Sequence, residues 1–151
     1  MATRVKFDDI VVFLREEGLN ISIGPQGTAY TKIIGKNGGY RLTVRFIREK
    51  EIIVIYIEYP FVIDLKSISE VLELSSEVNW GLLFTTCEVN AEKGNIRFRS
   101  TILTDESGFN SAQFSTILAT SCSIADNYLP VFKSVIYGGL TAKEALIKVS
   151  K

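Results

Sequence analysis

Alternation of apolar and polar residues predicts three strands in the first part of the chain. Tyr40–Ile47 has a period of two, which is typical of a strand with one covered face. Ile52–Tyr59 is apolar on both faces, which indicates a central strand or a subunit contact. Pro60 ends that strand, because proline has no N–H to donate to a neighbouring strand. A shorter strand, Tyr30–Ile34, lies within a glycine-rich stretch.

Two further strands are separated by a short polar segment. They are Gly81–Val89 and Asn95–Leu103, and the segment 90–94 between them ends in a glycine. A polar connection of this length that ends in glycine favours a turn between antiparallel strands. The sequence therefore predicts a hairpin here.

Apolar residues at helical spacing predict four helices. Pro130 interrupts the third pattern and predicts a kink or a restart, since its ring is incompatible with the preceding turn. The boundary signals are Gly18 after the first helix, a capping box of Ser67 and Glu70 before the second, Asn110 with Gln113 before the third, and Thr141 with Glu144 before the fourth.

The predicted order, α-βββ-α-ββ-α-α, indicates an α+β fold. Strands come in antiparallel-sized groups separated by helices, whereas a parallel sheet needs regular alternation. The length of 151 residues fits a single domain over 1–151, which buries roughly 70% of its unfolded surface. The pattern leaves open whether the two strand groups form one sheet or two.

The charge balance gives no support to a nucleic-acid partner. Basic and acidic residues both number 17, so the formal net charge is zero. The acidic residues concentrate in the middle: segment 51–92 holds eight acidic and one basic residue, and both flanks are basic. No signal peptide is visible, and no apolar run approaches the ~18 residues of a membrane span, so a cytoplasmic protein without membrane contact is expected.

The residues that catalysis and metal binding most often require are missing. There is no histidine, and the two cysteines, Cys87 and Cys122, lie too far apart for a zinc motif. We expect two reduced packing thiols, with one disulfide as the alternative. Gly35 and Lys36 resemble the end of a phosphate loop, but its first glycine and its hydroxyl residue are absent. We therefore predict no enzyme, no metal and no cofactor.

Two sets of residues are candidates for a binding surface. Arg41 and Arg45 share one strand face and Arg97 and Arg99 share another, so one continuous sheet would bring them together. A solvated outer face is the simplest interpretation. An acidic protein segment or single-stranded nucleic acid is the alternative ligand.

Three aromatic residues are candidate anchors for a protein partner. Trp80, Tyr59 and Phe61 are of the types that concentrate in interfaces. Packing within the core at the sheet edge is the alternative interpretation, and the favoured one.

From Ile68 to Ile147 the chain resembles the YbjN family of bacterial sensory transduction regulators, whose fold is like that of type III secretion chaperones. The resemblance implies a twisted antiparallel sheet packed by helices, with an association surface for dimers or extended polypeptides. No catalytic residue is implied. The matching stretches are the helix ending at Asn79, the strand Leu82–Val89, the turn Glu92–Asn95, the strand Ile96–Arg99, and the motifs Asp126–Pro130, Val135–Gly139 and Thr141–Ala145.

The residues and the resemblance together favour a non-enzymatic protein-binding module, chaperone-like or regulatory, that forms a homodimer. Two alternatives remain open at this point. One is an enzyme with an unrecognised carboxylate or lysine site. The other is a weak single-stranded nucleic-acid binder.

Overall fold

The alternating segments of the sequence become strands of one antiparallel sheet. The computed structural model describes residues 2–149, without the side chain of residue 149. Its strands are β1 (Ser22–Gly24), β2 (Thr28–Ile34), β3 (Gly39–Ile47), β4 (Ile52–Glu58), β5 (Thr85–Asn90) and β6 (Asn95–Leu103). Its helices are α1 (Phe7–Glu16), α2 (Ile68–Gly81), α3 (Ser111–Ile136) and α4 (Ala142–Val149).

The two strand groups form one continuous sheet. Its order is β1-β2-β3-β4-β6-β5, and every neighbouring pair is antiparallel. Strand β4 therefore lies in the middle, between β3 and β6. A central strand has neighbours on both sides, and this position accounts for apolar residues on both of its faces.

One face of the sheet carries the hydrophobic core. The inward residues of β3, such as Leu42 and Val44, are almost fully buried, as are Ile55 of β4 and Phe98 of β6. All four helices contribute buried residues to this same core. Within residues 2–149 the opposite face, called here the outer face, therefore has no helix packed on it. Removal of a buried aromatic side chain such as Phe98 costs about 3–5 kcal/mol.

Several boundary signals act as predicted. Gly18 follows α1 with a φ of 84°, a left-handed conformation that glycine adopts readily. The Asn110 side chain accepts a hydrogen bond from the Gln113 N–H at 2.9 Å and caps α3. The predicted hairpin between β5 and β6 is present, and its turn ends at Gly94 with a φ of 76°.

Other signals were misleading. Ser67 makes no capping hydrogen bond, and Glu70 accepts the Ala142 N–H of α4 at 2.8 Å instead of the Ser67 N–H. The sequence pattern does not predict strand β1, since three residues are too few to show alternation. Strand β5 begins at Thr85 rather than Gly81, which is the last residue of α2.

Candidate functional site

The strand register places four predicted arginines on the outer face. Arg41 of β3 lies opposite Glu58 of β4, which in turn lies opposite Arg97 of β6. Arg45 and Arg99 have the same parity on β3 and β6 and share that face. The insertion of β4 between β3 and β6 thus brings together residues more than fifty positions apart in the chain.

The charges of the outer face are compensated on only one half of the sheet. The Glu88 carboxylate of β5 accepts hydrogen bonds from the Nε–H groups of Arg97 and Arg99, with N···O distances of 2.8 and 3.1 Å. The Arg97 guanidinium also lies 4.2 Å from the ring centre of Tyr56, a cation–π contact. These contacts hold two of the four arginines in place.

The β2–β3 half of the outer face is cationic. Lys32 lies directly opposite Arg41, and Arg45 follows on the same face. Within residues 2–149 none of these three residues makes an ion pair. The Arg41 guanidinium lies 5.3 Å from the ring centre of Tyr30. Within the described residues this half therefore keeps positive charge that no carboxylate pairs.

The outer face becomes apolar toward one end of its strands. Ile47, Ile52 and Leu103 lie opposite one another across β3, β4 and β6. Leu103 is 81% exposed, whereas Val54, two residues after Ile52 on the same face of β4, is buried. An apolar row next to charged rows is typical of a surface that meets a protein rather than a small polar solute.

A second exposed apolar surface lies where α2 meets β5. Trp80, Leu83 and Phe84 are 94%, 88% and 66% exposed, and we call them the apolar tip. Core packing, the interpretation that the sequence favoured for Trp80, is therefore wrong.

The other two predicted anchors behave differently. Tyr59 is 2% exposed, and its hydroxyl donates to the Ala125 carbonyl at 2.8 Å. Its ring contacts those of Phe61, Phe98 and Phe132. As a surface anchor Tyr59 is a wrong prediction, because its aromatic side chain serves the core. Phe61 is half-buried beside it.

Asn79 closes part of the exposed edge of the sheet. Its side chain accepts the Cys87 N–H at 2.7 Å and donates to the Cys87 carbonyl at 2.9 Å. It thereby replaces the backbone pairing that a further strand would offer β5 at this residue. A partner strand cannot pair with β5 at Cys87 while Asn79 is in place. This contact accounts for an asparagine in the last turn of α2, beside the strand.

The glycine-rich loop between β2 and β3 is fastened to α3 by a carboxylate. Asp126 accepts the N–H groups of Lys36 and Asn37 at 2.9 Å each and the Tyr40 hydroxyl at 2.5 Å. A Cβ on Gly35 would lie 2.6 Å from the Asp126 carboxyl carbon, so only glycine fits there. The loop that resembled a phosphate site thus holds a carboxylate of its own chain. We call this arrangement the Asp126 clamp.

Pro130 completes the Asp126 clamp instead of ending the helix. Helix α3 continues through Pro130, which has no N–H for the Asp126 carbonyl four residues earlier. The Asn37 side-chain amide donates to that carbonyl at 3.0 Å. Of the predicted kink or restart, the restart is wrong, because α3 remains one element and the loop satisfies the group that proline leaves free.

The electrostatics of the clamp stabilise the ionised carboxylate. Burial alone would raise the pKa of Asp126. The hydrogen bonds from Tyr40, Asn37 and Lys36 outweigh burial and hold the pKa below its ordinary value. A carboxylate that three hydrogen bonds hold in the ionised form links the loop to α3 and is not a proton donor.

The cysteines are free thiols with little reactivity. Burial raises the pKa of Cys87 to about 12 and that of Cys122 to about 11. The attacking species is the thiolate, which is scarce at neutral pH for such groups. Cys122 lines an apolar crevice of about 290 Å³ between α1, β2, β3 and α3. The reduced state that the sequence favoured agrees with these free thiols.

The described residues offer no metal centre and no membrane span. Across 2–149, no three residues of the types that commonly ligate metals lie close enough to hold an ion. The helices in the same range are too short or too polar to cross a bilayer.

Comparison with known proteins identifies relatives over most of the chain. The sequence model of the YbjN family, described as "Putative bacterial sensory transduction regulator", matches residues 6–134. No curated protein matches the chain.

Two solved structures share the fold. "Crystal structure of YbjN, a putative transcription regulator from E. coli" has a TM-score of 0.64 at 11% identity and covers 80% of this chain and 86% of its own. "Crystal Structure of the ExsC-ExsE Complex" has a TM-score of 0.61 at 15% identity and covers 83% and 92%. At these identities the likeness concerns the fold, and it confirms the α+β architecture predicted from the resemblance.

Proposed function

Because the chain belongs to the YbjN family, we propose that it is a non-enzymatic protein-binding module, chaperone-like or regulatory, that acts as a homodimer in the bacterial cytoplasm. The structural neighbour ExsC is described in complex with ExsE, which supports a protein partner for this fold. The observation that carries the proposal is the outer face of the sheet, which no helix of the described chain covers.

The outer face has the composition of an interface. Ile52 and Leu103 supply apolar area, and Arg41 and Arg45 supply charge beside it. Interfaces commonly combine an apolar centre with arginine and tyrosine side chains. The binding role of Arg97 and Arg99 is proposed here as a supporting one, since Glu88 already holds both.

We propose a second copy of the chain as the occupant of this face. A two-fold axis parallel to the strands would place the cationic β2–β3 half of one copy against the β6–β5 half of the other, and contacts across such an axis are reciprocal. In that second half the acidic residue is Glu88, which lies beside Arg97 and Arg99 and would face the cationic half of the other copy. The apolar row would lie at the same end in both copies.

The substitution Leu103→Glu tests the homodimer. Leu103 is 81% exposed, so the change leaves the core intact and places a charge on the proposed interface. In sedimentation velocity at micromolar concentration the unchanged protein should have twice the single-chain mass of 16.8 kDa, and the variant should have the single mass.

Ile23→Glu is the matched control. Ile23 is 54% exposed on β1 and pairs with the buried Ala29, which puts it on the opposite side of the sheet. This variant should remain dimeric. A single-chain mass for the unchanged protein, or a dimer that survives Leu103→Glu, contradicts the homodimer.

Single-stranded nucleic acid is a second candidate ligand of the same face. The specific observation in its favour is the unpaired set Lys32, Arg41 and Arg45 next to Tyr30, because cations with a neighbouring aromatic ring suit a flexible strand. Binding of this kind weakens steeply with salt. A titration of labelled single-stranded DNA at two salt concentrations, repeated with Arg41→Glu, tests it, and a flat salt response removes it.

A further inference from the structure

We propose that the apolar tip and the acidic face of α2 form one docking site for a partner segment that combines apolar side chains with lysine or arginine. The inference rests on the proposed protein-binding function and names the chemistry of the partner. It concerns a different surface from the outer face of the sheet, and it requires no dimer.

Helix α2 carries negative charge without any compensation. It holds three glutamates and neither lysine nor arginine. Glu70 is engaged by the Ala142 N–H, but within residues 2–149 neither Glu73 nor Glu77 makes an ion pair. Both are exposed, and with Trp80 they are spaced by four and three residues. These three side chains therefore lie on one face of the helix.

The end of α2 adds two further attractions for a cation. The last turn has no basic residue, so the partial negative charge of the helix C-terminus remains unbalanced there. The Trp80 ring lies at this end, is 94% exposed and is the only tryptophan of the chain. Indole rings are the best side-chain partners for ammonium and guanidinium groups. The carboxylates, the helix C-terminus and the indole ring therefore all favour a positively charged group on the ligand.

The apolar tip supplies the second half of the recognition. Leu82, the first residue after α2, packs on the core, whereas Leu83 and Phe84, which follow it, are exposed. Clustered exposed apolar groups mark interaction sites in soluble proteins, and aromatic residues contribute most of the energy of such sites. A segment with lysines or arginines beside leucine-like side chains matches both halves.

Trp80 fluorescence provides a direct measurement. Docking would bury the exposed indole and shift its emission to shorter wavelength. The probe is a synthetic amphipathic leucine–lysine peptide, and its control is the same peptide with glutamate at every lysine. We expect a saturable shift with the lysine peptide, a weaker one at high salt because ions screen exposed charges, and none with the glutamate peptide.

Charge reversal on α2 separates the site from general acidity. Glu73→Lys with Glu77→Lys should weaken the peptide about tenfold, the loss expected when two exposed ion pairs become repulsions. Glu49→Lys with Glu106→Lys changes the total charge equally at exposed residues outside α2, and should leave the affinity unchanged. Leu83→Ser with Phe84→Ser should abolish the shift while Trp80 remains as the reporter. Thermal melts verify that each variant is folded.

The opposite outcomes are equally definite. Equal binding by both double-lysine variants, or a shift with the glutamate peptide, overturns the proposal. Loss of the dimer mass in Leu83→Ser with Phe84→Ser would assign the tip to a second copy, and a shift with neutral lipid vesicles but not with peptide would assign it to a membrane. Peptide binding that persists in monomeric Leu103→Glu would support this site even where the homodimer interface fails.

Discussion

The loop between β2 and β3 and the connection between α2 and β5 differ in whether the rest of the chain provides partners for their groups. Loop 35–38 consists of glycine, lysine and asparagine, and two hydrogen bonds tie it to the Asp126 carboxylate while a third ties it to the Asp126 carbonyl that Pro130 leaves free. Connection 82–84 consists of leucine and phenylalanine, yet Leu83 and Phe84 face solvent. The first loop stabilises the domain, and the second leaves its apolar groups exposed.

The difference arises from the partners that the fold provides. Backbone N–H groups in a tight loop require an acceptor, and Asp126 supplies it from a helix ninety residues away in sequence. Apolar side chains require only a surface to cover them, and no element of the described chain covers the apolar tip. Stability is thus concentrated in the polar loop, and exposed apolar area in the other connection.

Asp126→Ala should produce the largest effect of these comparisons. It removes the acceptor of two part-buried N–H groups and of the buried Tyr40 hydroxyl, which we expect to lower the free energy of unfolding by about 3 kcal/mol. Leu83→Ser, in the other connection, should change it by less than about 0.5 kcal/mol, since the side chain is exposed. Urea denaturation of both variants measures the contrast, and equal effects would break it.

Gly35→Ala and Gly81→Ala should have effects of opposite sign. The new Cβ at Gly35 would press on the Asp126 carboxyl and cost about 2 kcal/mol. At Gly81 nothing lies within 4 Å, and alanine at the end of α2 should be neutral or add a few tenths of a kcal/mol. Denaturant midpoints report both changes. Destabilisation by Gly81→Ala would indicate that the connection is packed more tightly than the open space at Gly81 suggests.

Acid should produce the smallest effect of these comparisons, a loss of the stability that ionised Asp126 gives to the polar loop. The pKa of Asp126 is held below its ordinary value, so the ionised form stabilises the folded state. The contribution is fully present above the unfolded pKa, near 4, and is lost as the pH falls through the lower folded pKa. The difference in unfolding free energy between the unchanged protein and Asp126→Asn should therefore shrink between pH 5 and strong acid. A difference independent of pH would mean that hydrogen-bond geometry, not ionisation, fastens the loop.

Local patterns were sufficient for the elements of the fold. The period of two at Tyr40–Ile47, the polar turn before Asn95 and the Asn110 cap each depend on neighbours within a few residues, and each was found as predicted. The short β1 and the start of β5 were not, because the edge of the sheet there is set by long-range pairing. The resemblance to the YbjN family additionally implied an antiparallel sheet packed by helices, and this architecture is present.

By itself, then, the sequence determined the element types, the α+β class, the arginines available for a sheet face and the lack of histidine chemistry. Only the tertiary structure decided that β4 lies between β3 and β6, which collects those arginines on one face, that Tyr59 is buried while Trp80 is exposed, and that Asp126 fastens the glycine loop. The physical reason is range. Backbone periodicity and capping act over a few residues, whereas burial and electrostatic pairing depend on groups that meet only when distant segments pack.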